Sequence, residues 1–230
     1  MAGEDAAMSG REEVLNRVRA ALQAGGAEAG RAAAVAARLR RMPVGIVPQR
    51  GQLPPKERAA LFCAMAEKQG ASVARVRKTE DAPREVARYL RDRNLPAAIR
   101  MGDDPYLRDM PWDRQRALEV RRGASDGDDL AGVSHAFAGI AETGTLTLLS
   151  GPDNPTTINF LPEHHIVIVE AEAIDGHMEA VMARVREKFG RGKMPRIVNL
   201  VTGPSRSADI EQTIVLGAHG PRALHVVVVG

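Results

Sequence analysis

Two seven-residue runs constrain this chain more than any other feature: HHIVIVE at 164–170 and ALHVVVV at 223–229. Both are apolar at consecutive rather than alternate positions, so a strand made from either carries apolar side chains on both faces. Such a strand is stable only in a sheet covered on two sides, the usual situation of parallel strands joined by helical crossovers. The surrounding segments keep the matching rhythm. Residues 56–69 have helical periodicity and stop at Gly70, and ASVARVR at 71–77 reads as a strand. APREVARYLRDRN at 82–94 is helical with Val86, Tyr89 and Leu90 inward, and AAIRMG at 97–102 is a short buried strand. RALEVRRG at 116–123 supplies another strand.

The second half continues the alternation. AFAGIAETGTLTLLSG at 136–151 is rich in small and β-branched residues, with Thr143 and Gly144 placed for a tight turn or bulge. Met178, Val181, Met182, Val185 and Phe189 recur on one helical face, and RIVNLVT at 196–202 is an apolar strand. A short helix is expected over SADIEQTIVLG at 207–217. The fold class is therefore α/β, a mainly parallel sheet with helices on both faces.

Ahead of this domain lies a different kind of segment. Ser9 followed by Glu12 fits a capping box, and Val14, Leu15, Val18, Ala21 and Leu22 then share a helical face. AGGAEAG at 24–30 reads as a flexible linker, and 31–41 as a second helix. We divide the chain into an N-terminal helical arm, 1–41, and an α/β domain, 42–230, whose first stretch to Pro55 is extended and rich in Pro and Gly.

At 230 residues, 44% hydrophobic and 27% charged, the chain has the composition of a soluble protein. No apolar run reaches the roughly 18 residues of a membrane span, and the first residues lack the apolar core of a secretory signal. A cytoplasmic location is expected. The pI of 9.3 reflects a net charge of only +3 spread along the chain, and aromatic residues make up 3%, so nucleic-acid binding is not expected. The one cysteine, Cys63, excludes an internal disulfide and a cysteine-ligated iron–sulfur cluster held by this chain alone.

Several motifs fail. GRGK at 190–193 lacks the hydroxyl residue and first glycine of a P-loop, and no dinucleotide fingerprint, hydrolase elbow or H-E-x-x-H is present. His164 and His165 are adjacent in a strand and point to opposite faces, so they do not form a metal pair. No metal site is expected.

Three polar loops are expected outside the carboxyl ends of the parallel strands, where ligands bind in open α/β sheets. They are GDDP at 102–105, AETGT at 141–145 and GPSRSADIE at 203–211. In the third, Ser205 or Ser207 can cap the expected helix, whose free N–H groups attract an anion, with Arg206 adding a charge-assisted pair. Equally, Asp209 and Glu211 could simply complement the helix dipole while Arg206 is solvated. In the second, Glu142 among Thr143, Gly144 and Thr145 is either a nucleophile or general base, or a carboxylate bonded to local N–H groups. His219 and Arg222 of GAHGPR complete the candidate set with Gly203 and Asp209. The glycines around His219 are expected to end the short helix sharply.

GIAETGTLTLLSG at 139–151, LPEHHIVIVE at 161–170 and GPSRSADIEQTIVLGAHGPRALHVVVVG at 203–230 together resemble the LUD domain of the lactate utilisation protein C family. The resemblance covers about 42–230 and is strongest in the last hundred or so residues. Ser207 stands where members often have Thr. The resemblance implies a fold similar to ribose-5-phosphate isomerases and CoA transferases, and a non-redox role beside two iron–sulfur proteins in oxidising L-lactate to pyruvate. No cofactor is then expected in this chain, and a small anionic ligand is. It carries over no catalytic residue. The alternative is a stand-alone enzyme similar to CoA transferases or folate cyclo-ligases, with Glu142 as nucleophile.

Overall fold

The computed structural model describes residues 10–22, 28–41, 45–190, 192–210 and 213–230. By compactness the chain falls into two units, 1–45 and 46–230. In the first, α1 (Gly10–Ala21) and α2 (Glu28–Arg41) are the two expected helices; α1 buries no residue and leaves Val14, Leu15 and Val18 exposed. Ser9 of the expected cap, most of the expected linker, and residues 42–44 lie outside the described residues.

The second unit contains α3 (Pro55–Lys68), β1 (Ser72–Val76), α4 (Ala82–Asp92), β2 (Ala98–Met101), α5 (Pro105–Arg108) and β3 (Glu119–Arg122). It continues with β4 (Ala131–His135), β5 (Ala138–Ile140), β6 (Thr145–Leu149), α6 (Thr157–Phe160), β7 (His164–Glu170), β8 (Ile174–Asp175) and α7 (Met178–Phe189). The last strands are β9 (Val198–Val201), β10 (Arg206–Ile210), β11 (Thr213–Leu216) and β12 (Ala223–Val229). Six strands form the main sheet in the order β1-β12-β7-β4-β2-β3, every neighbouring pair parallel.

The two apolar runs are β7 and β12, side by side near the middle of this sheet. On one face Ile166, Ile168, Val227 and Val229 pack with Val86, Tyr89 and Leu90 of α4 and with Leu107 of α5. On the other, Val167, Val169, Leu224, Val226 and Val228 pack with Phe62 of α3 and with Leu146, Leu148 and Ile174. Those last three belong to a second sheet, ordered β8-β5-β6-β9, whose β5 in turn rests on Val181 of α7. The sheet is covered on both sides, one cover being partly a sheet rather than helices.

Three expectations are corrected. The segment 207–217 is not a helix but an antiparallel hairpin of β10 and β11. Thr213, Ile214 and Val215 follow one another there, and β-branched side chains favour strand over helix. The glycines around His219 therefore follow a strand and end no helix. RIVNLVT joins the second sheet as β9, paired antiparallel with β6, rather than the parallel sheet. Finally, β4 was not anticipated: AGVSH is built of small or polar residues and lacks the apolar run that marks its neighbours, although four of its five residues are buried.

The turn between β5 and β6 is the ETGT segment. Gly144 has φ +68°, and a Cβ there would fall 2.4 Å from the backbone N of Ala66 in α3. Gly144→Ala is expected to lower the unfolding free energy by about 2–4 kcal/mol, from combined backbone strain and overpacking, as read from urea denaturation.

Candidate functional site

The loop after β9 turns over the carboxyl end of α3, where Gly203 (φ +74°) approaches the Gln69 carbonyl so closely that a Cβ would lie 2.3 Å from its oxygen. Ser205 then fastens the loop to the segment that precedes β12. Its N–H donates to the Pro221 carbonyl (2.8 Å), its carbonyl accepts from Gly217 N–H (3.0 Å) and its Oγ accepts from His219 N–H (3.3 Å). The serine hydroxyl holds a loop, not a helix cap.

Beneath this loop is a cavity of about 280 Å³, walled by Gly203, Ser205, Arg206, His219, Asn159 and His165 among others. That size sits at the small end of ligand sites. His165 and Leu224, also in the wall, are the second residues of β7 and β12, so the cavity lies at the amino edge of the parallel sheet. The expected carboxyl-edge placement holds for GDDP alone. The loop following β9 cannot share that edge because β9 belongs to the other sheet.

The remaining candidates divide. Thr143, Thr145 and Thr202 form a chain of hydroxyls, 2.7 Å at each step, that links the ETGT turn to the cavity wall at Thr202. Gly144 shapes that turn. Glu142 is not among the lining residues; it is buried, and its Oε1 accepts from Met178 N–H at the start of α7 (3.3 Å). Its other oxygen, Oε2, is buried with no hydrogen-bond partner among the described residues, so the carboxylate is bonded to one backbone N–H, 36 positions away, at one oxygen only. Arg222 pairs with Glu163 at 3.6 Å, both exposed, and borders an adjoining groove of about 700 Å³ with Lys68, Arg93 and Arg206. Arg206 thus stands between cavity and groove, its guanidinium against Gly70. The side chain of Asp209 and the whole of Glu211 lie outside the described residues.

Three histidines that the sequence reading did not select organise the interior. His165 is 1% exposed; its Nε2 lies 3.0 Å from Ser134 Oγ, which donates to Asn159 Oδ1 at 2.7 Å. Burial lowers its pKa to about 3, so the ring is neutral. Strand alternation does place one histidine of the HH pair inward, and that signal was available. At the sheet's other side, His225 Nδ1 meets Ser72 Oγ (2.8 Å) and its Nε2 meets Glu85 Oε1 (3.2 Å), under the stacked ring of Tyr89.

At the carboxyl edge, His135 bridges Asp104 (Nδ1, 3.1 Å) and Glu170 (Nε2, 3.3 Å), with Tyr106 stacked on the ring and Asn154 donating to Asp104. Burial disfavours the imidazolium, but the two carboxylates outweigh it and raise the His135 pKa to about 9. Burial would likewise raise Asp104, yet hydrogen bonds from His135 and Asn154 bring it to about 2. Cys63, half-buried in α3, has its thiol pKa raised by burial, the opposite of an activated thiolate.

The LUD domain profile matches residues 59–229. The chain belongs to the LUD domain family. Among curated relatives, lactate utilization protein C of Shouchella clausii is 32% identical over 118 residues, 51% of each chain. Lactate utilization protein C of Geobacillus thermodenitrificans is 40% identical over 107 residues, 45% of each. The chain spans about half the length of these relatives in the match. The crystal structure of a DUF162 family protein from Deinococcus radiodurans shares the fold, with TM-score 0.53 and 23% identity over 77% of this chain and 99% of that one. No helix among the described residues is long and apolar enough to cross a membrane.

The clamp of this LUD domain on His135 carries a signed pH dependence. A raised histidine contributes fully below its unfolded pKa, roughly 6.5, and loses that contribution as pH rises through about 9. Asp104 contributes above its unfolded pKa, roughly 3.9, and loses it as pH falls through about 2. The stability advantage of the wild type over His135→Gln is therefore expected to be largest near pH 5–6 and to shrink by about 2–3 kcal/mol by roughly pH 9.5, measured by urea denaturation at each pH.

Proposed function

We propose that this LUD domain protein serves lactate utilisation as the non-redox component of an iron–sulfur-dependent system that oxidises L-lactate to pyruvate, and that the cavity under the Ser205 loop binds a small anionic ligand. The single observation that carries the reading is the meeting of GPSR and GAHGPR on one cavity wall through the hydrogen bonds of Ser205, with ETGT joined to that wall by the Thr145–Thr202 hydroxyl pair although none of its own residues lines the cavity. The names of the relatives supply the pathway. The charge supports the ligand class, since Arg206 on the rim stands with Lys68 and Arg93 in the adjoining groove, where Arg222 pairs with Glu163.

Oxidation of lactate to pyruvate releases two electrons and two protons. With Cys63 as its one cysteine, this chain cannot supply the thiolates of a cluster, so the electrons pass to the partner proteins, two iron–sulfur subunits. The chain's own part is to hold a carboxylate-bearing molecule, in the cytoplasm, where such a complex works. Glu142, turned to the start of α7, gives no support to a CoA-transferase-like alternative.

Lactate-dependent oxygen uptake by the system reconstituted with its iron–sulfur partners tests this reading. Omission of the chain is expected to abolish uptake, and Arg206→Ala to reduce it about tenfold through a raised apparent KM for lactate. Unchanged uptake in both would reject it. The exposed apolar residues of α1 yield a further expectation: removal of residues 1–45 leaves the α/β unit folded by circular dichroism but abolishes co-purification with the partners.

A further inference from the structure

A second groove lies at the opposite edge of the main sheet, where the chain's connections diverge. β2 and β4 are parallel neighbours, with Arg100 opposite Gly132 and Met101 opposite Val133. After β2 the chain enters α5, whose Leu107 packs on one face of the sheet with Ile166 and Ile168. After β4 it enters the second sheet, whose Leu146 and Leu148 pack on the other face with Val167 and Val169. Adjacent strands that send their carboxyl ends to opposite faces leave a crevice between the two connections, the place where open α/β sheets bind ligands. GDDP borders this crevice and has no part in the cavity under the Ser205 loop.

The crevice is held in shape by its own residues. Asp104 of GDDP and His135 at the end of β4 join the two strand ends (3.1 Å), and Asn154 donates to Asp104 (2.9 Å). A Cβ on Gly102 would collide with the Asp153 carbonyl oxygen, so GDDP and the loop at 151–154 are packed backbone to backbone. Asp104, His135 and Asn154, together with Tyr106, Phe137 and Phe189, line a groove of about 500 Å³, a size that holds one small organic molecule.

The lining is aromatic in a chain that is not. The sequence has one Trp, two Tyr and four Phe, and three of these seven rings, Tyr106, Phe137 and Phe189, meet here, each only partly buried. Tyr106 is fixed by stacking on His135, 4.4 Å between centroids. Partly exposed rings around one groove favour another ring, because aromatic pairs gain beyond the area they bury. Charge adds a second requirement. Of the three charged residues in the lining, Asp104 and His135 neutralise each other, which leaves Lys188. Lys188 is exposed, its Nζ lies 5.7 Å from the centroid of the Phe137 ring, and it pairs with no carboxylate among the described residues. Arg184, on the same ring, is instead committed to Asp175 (2.9 Å). An aromatic surface and an unpaired cation are therefore within reach of one small molecule.

We infer that the groove between the carboxyl ends of β2 and β4 is a second ligand site, for a flat aromatic acid whose ring lies among Tyr106, Phe137 and Phe189 and whose carboxylate pairs with Lys188. His135 is a positioning residue in it. Both ring nitrogens are already bonded and the two carboxylates keep the imidazolium charged, so it fixes the groove and takes no proton from the ligand. The site is independent of lactate and of the cavity at the amino edge.

Calorimetric titration of the full chain at pH 7 with three probes tests the inference. The probes are 2-naphthoate, decalin-2-carboxylate, which keeps the charge and bulk without the flat ring, and 2-naphthamide, which keeps the ring without the charge. 2-Naphthoate is expected to bind about tenfold more tightly than the decalin acid and about threefold more tightly than the amide. Phe189→Leu is expected to remove most of the first margin, Lys188→Gln the second, and Arg206→Ala neither. In amide spectra of the wild type, the signals of Ser150 and Gly151, which also line the groove, are expected to shift with 2-naphthoate while those of Ser205 and His219 stay in place. These spectra locate the ligand even where a variant does not fold. Equal affinity for the three probes, binding of none at millimolar concentration, or shifts confined to Ser205 and His219 overturn the inference.

Discussion

The structure depends on the burial of β7 and β12 on both faces. Val167, Val169, Val226 and Val228 point one way and Ile166, Ile168, Val227 and Val229 the other, all but Val229 essentially inaccessible to solvent. Each buried side chain of this size contributes about 1.5–3 kcal/mol relative to exposure, and the gain is realised only when both layers are in place. The chain meets the requirement asymmetrically. Helices α4 and α5 cover one face, while α3 and a second sheet share the other. The second sheet is what brings ETGT and the loop after β9 to the amino edge, so the candidate site is a by-product of how the core is closed.

Closing a sheet edge with loops buries polar groups, and the three interior histidines show how differently those groups can be resolved. His135 is ionised between two carboxylates, a buried cation with its countercharges in contact. His225 is held between a hydroxyl and a carboxylate, beneath an aromatic ring. Both arrangements are internally complete, which is the pattern of networks that hold structure. His165 is neutral and half-used. Its Nδ1 shares that condition with Arg58 Nε, Glu142 Oε2, Thr147 Oγ1 and Asn199 Nδ2, buried atoms that also lack a hydrogen-bond partner among the described residues.

The sheet was legible because its central strands announce themselves by unbroken apolar runs, and α3, α4 and α7 by apolar residues at helical spacing. β4 was not, although it is as central as β7's other neighbour, because Ala131, Gly132, Val133 and Ser134 carry little bulk. Their smallness has a reason only the structure supplies: a Cβ on Gly132 would stand 2.8 Å from the Ile158 carbonyl oxygen, so the strand is flattened to admit α6. Gly203, Ser205, Arg206 and His219 were read as neighbours, and they do wall one cavity. Their edge was misplaced, since a local reading cannot tell that β9 leaves the parallel sheet for an antiparallel partner 50 residues upstream. His165 was examined only as a possible metal ligand. What marks it is its pairing with Ser134, a contact 31 positions away in sequence.

Replacing the expected helix at 207–217 by a hairpin alters the chemistry as much as the topology. A helix N-terminus would have offered a ring of free N–H groups, a site that holds any anion and reads little else. In the loops flanking the hairpin, the N–H groups of Ser205, Gly217 and His219 are all consumed in fastening the loop.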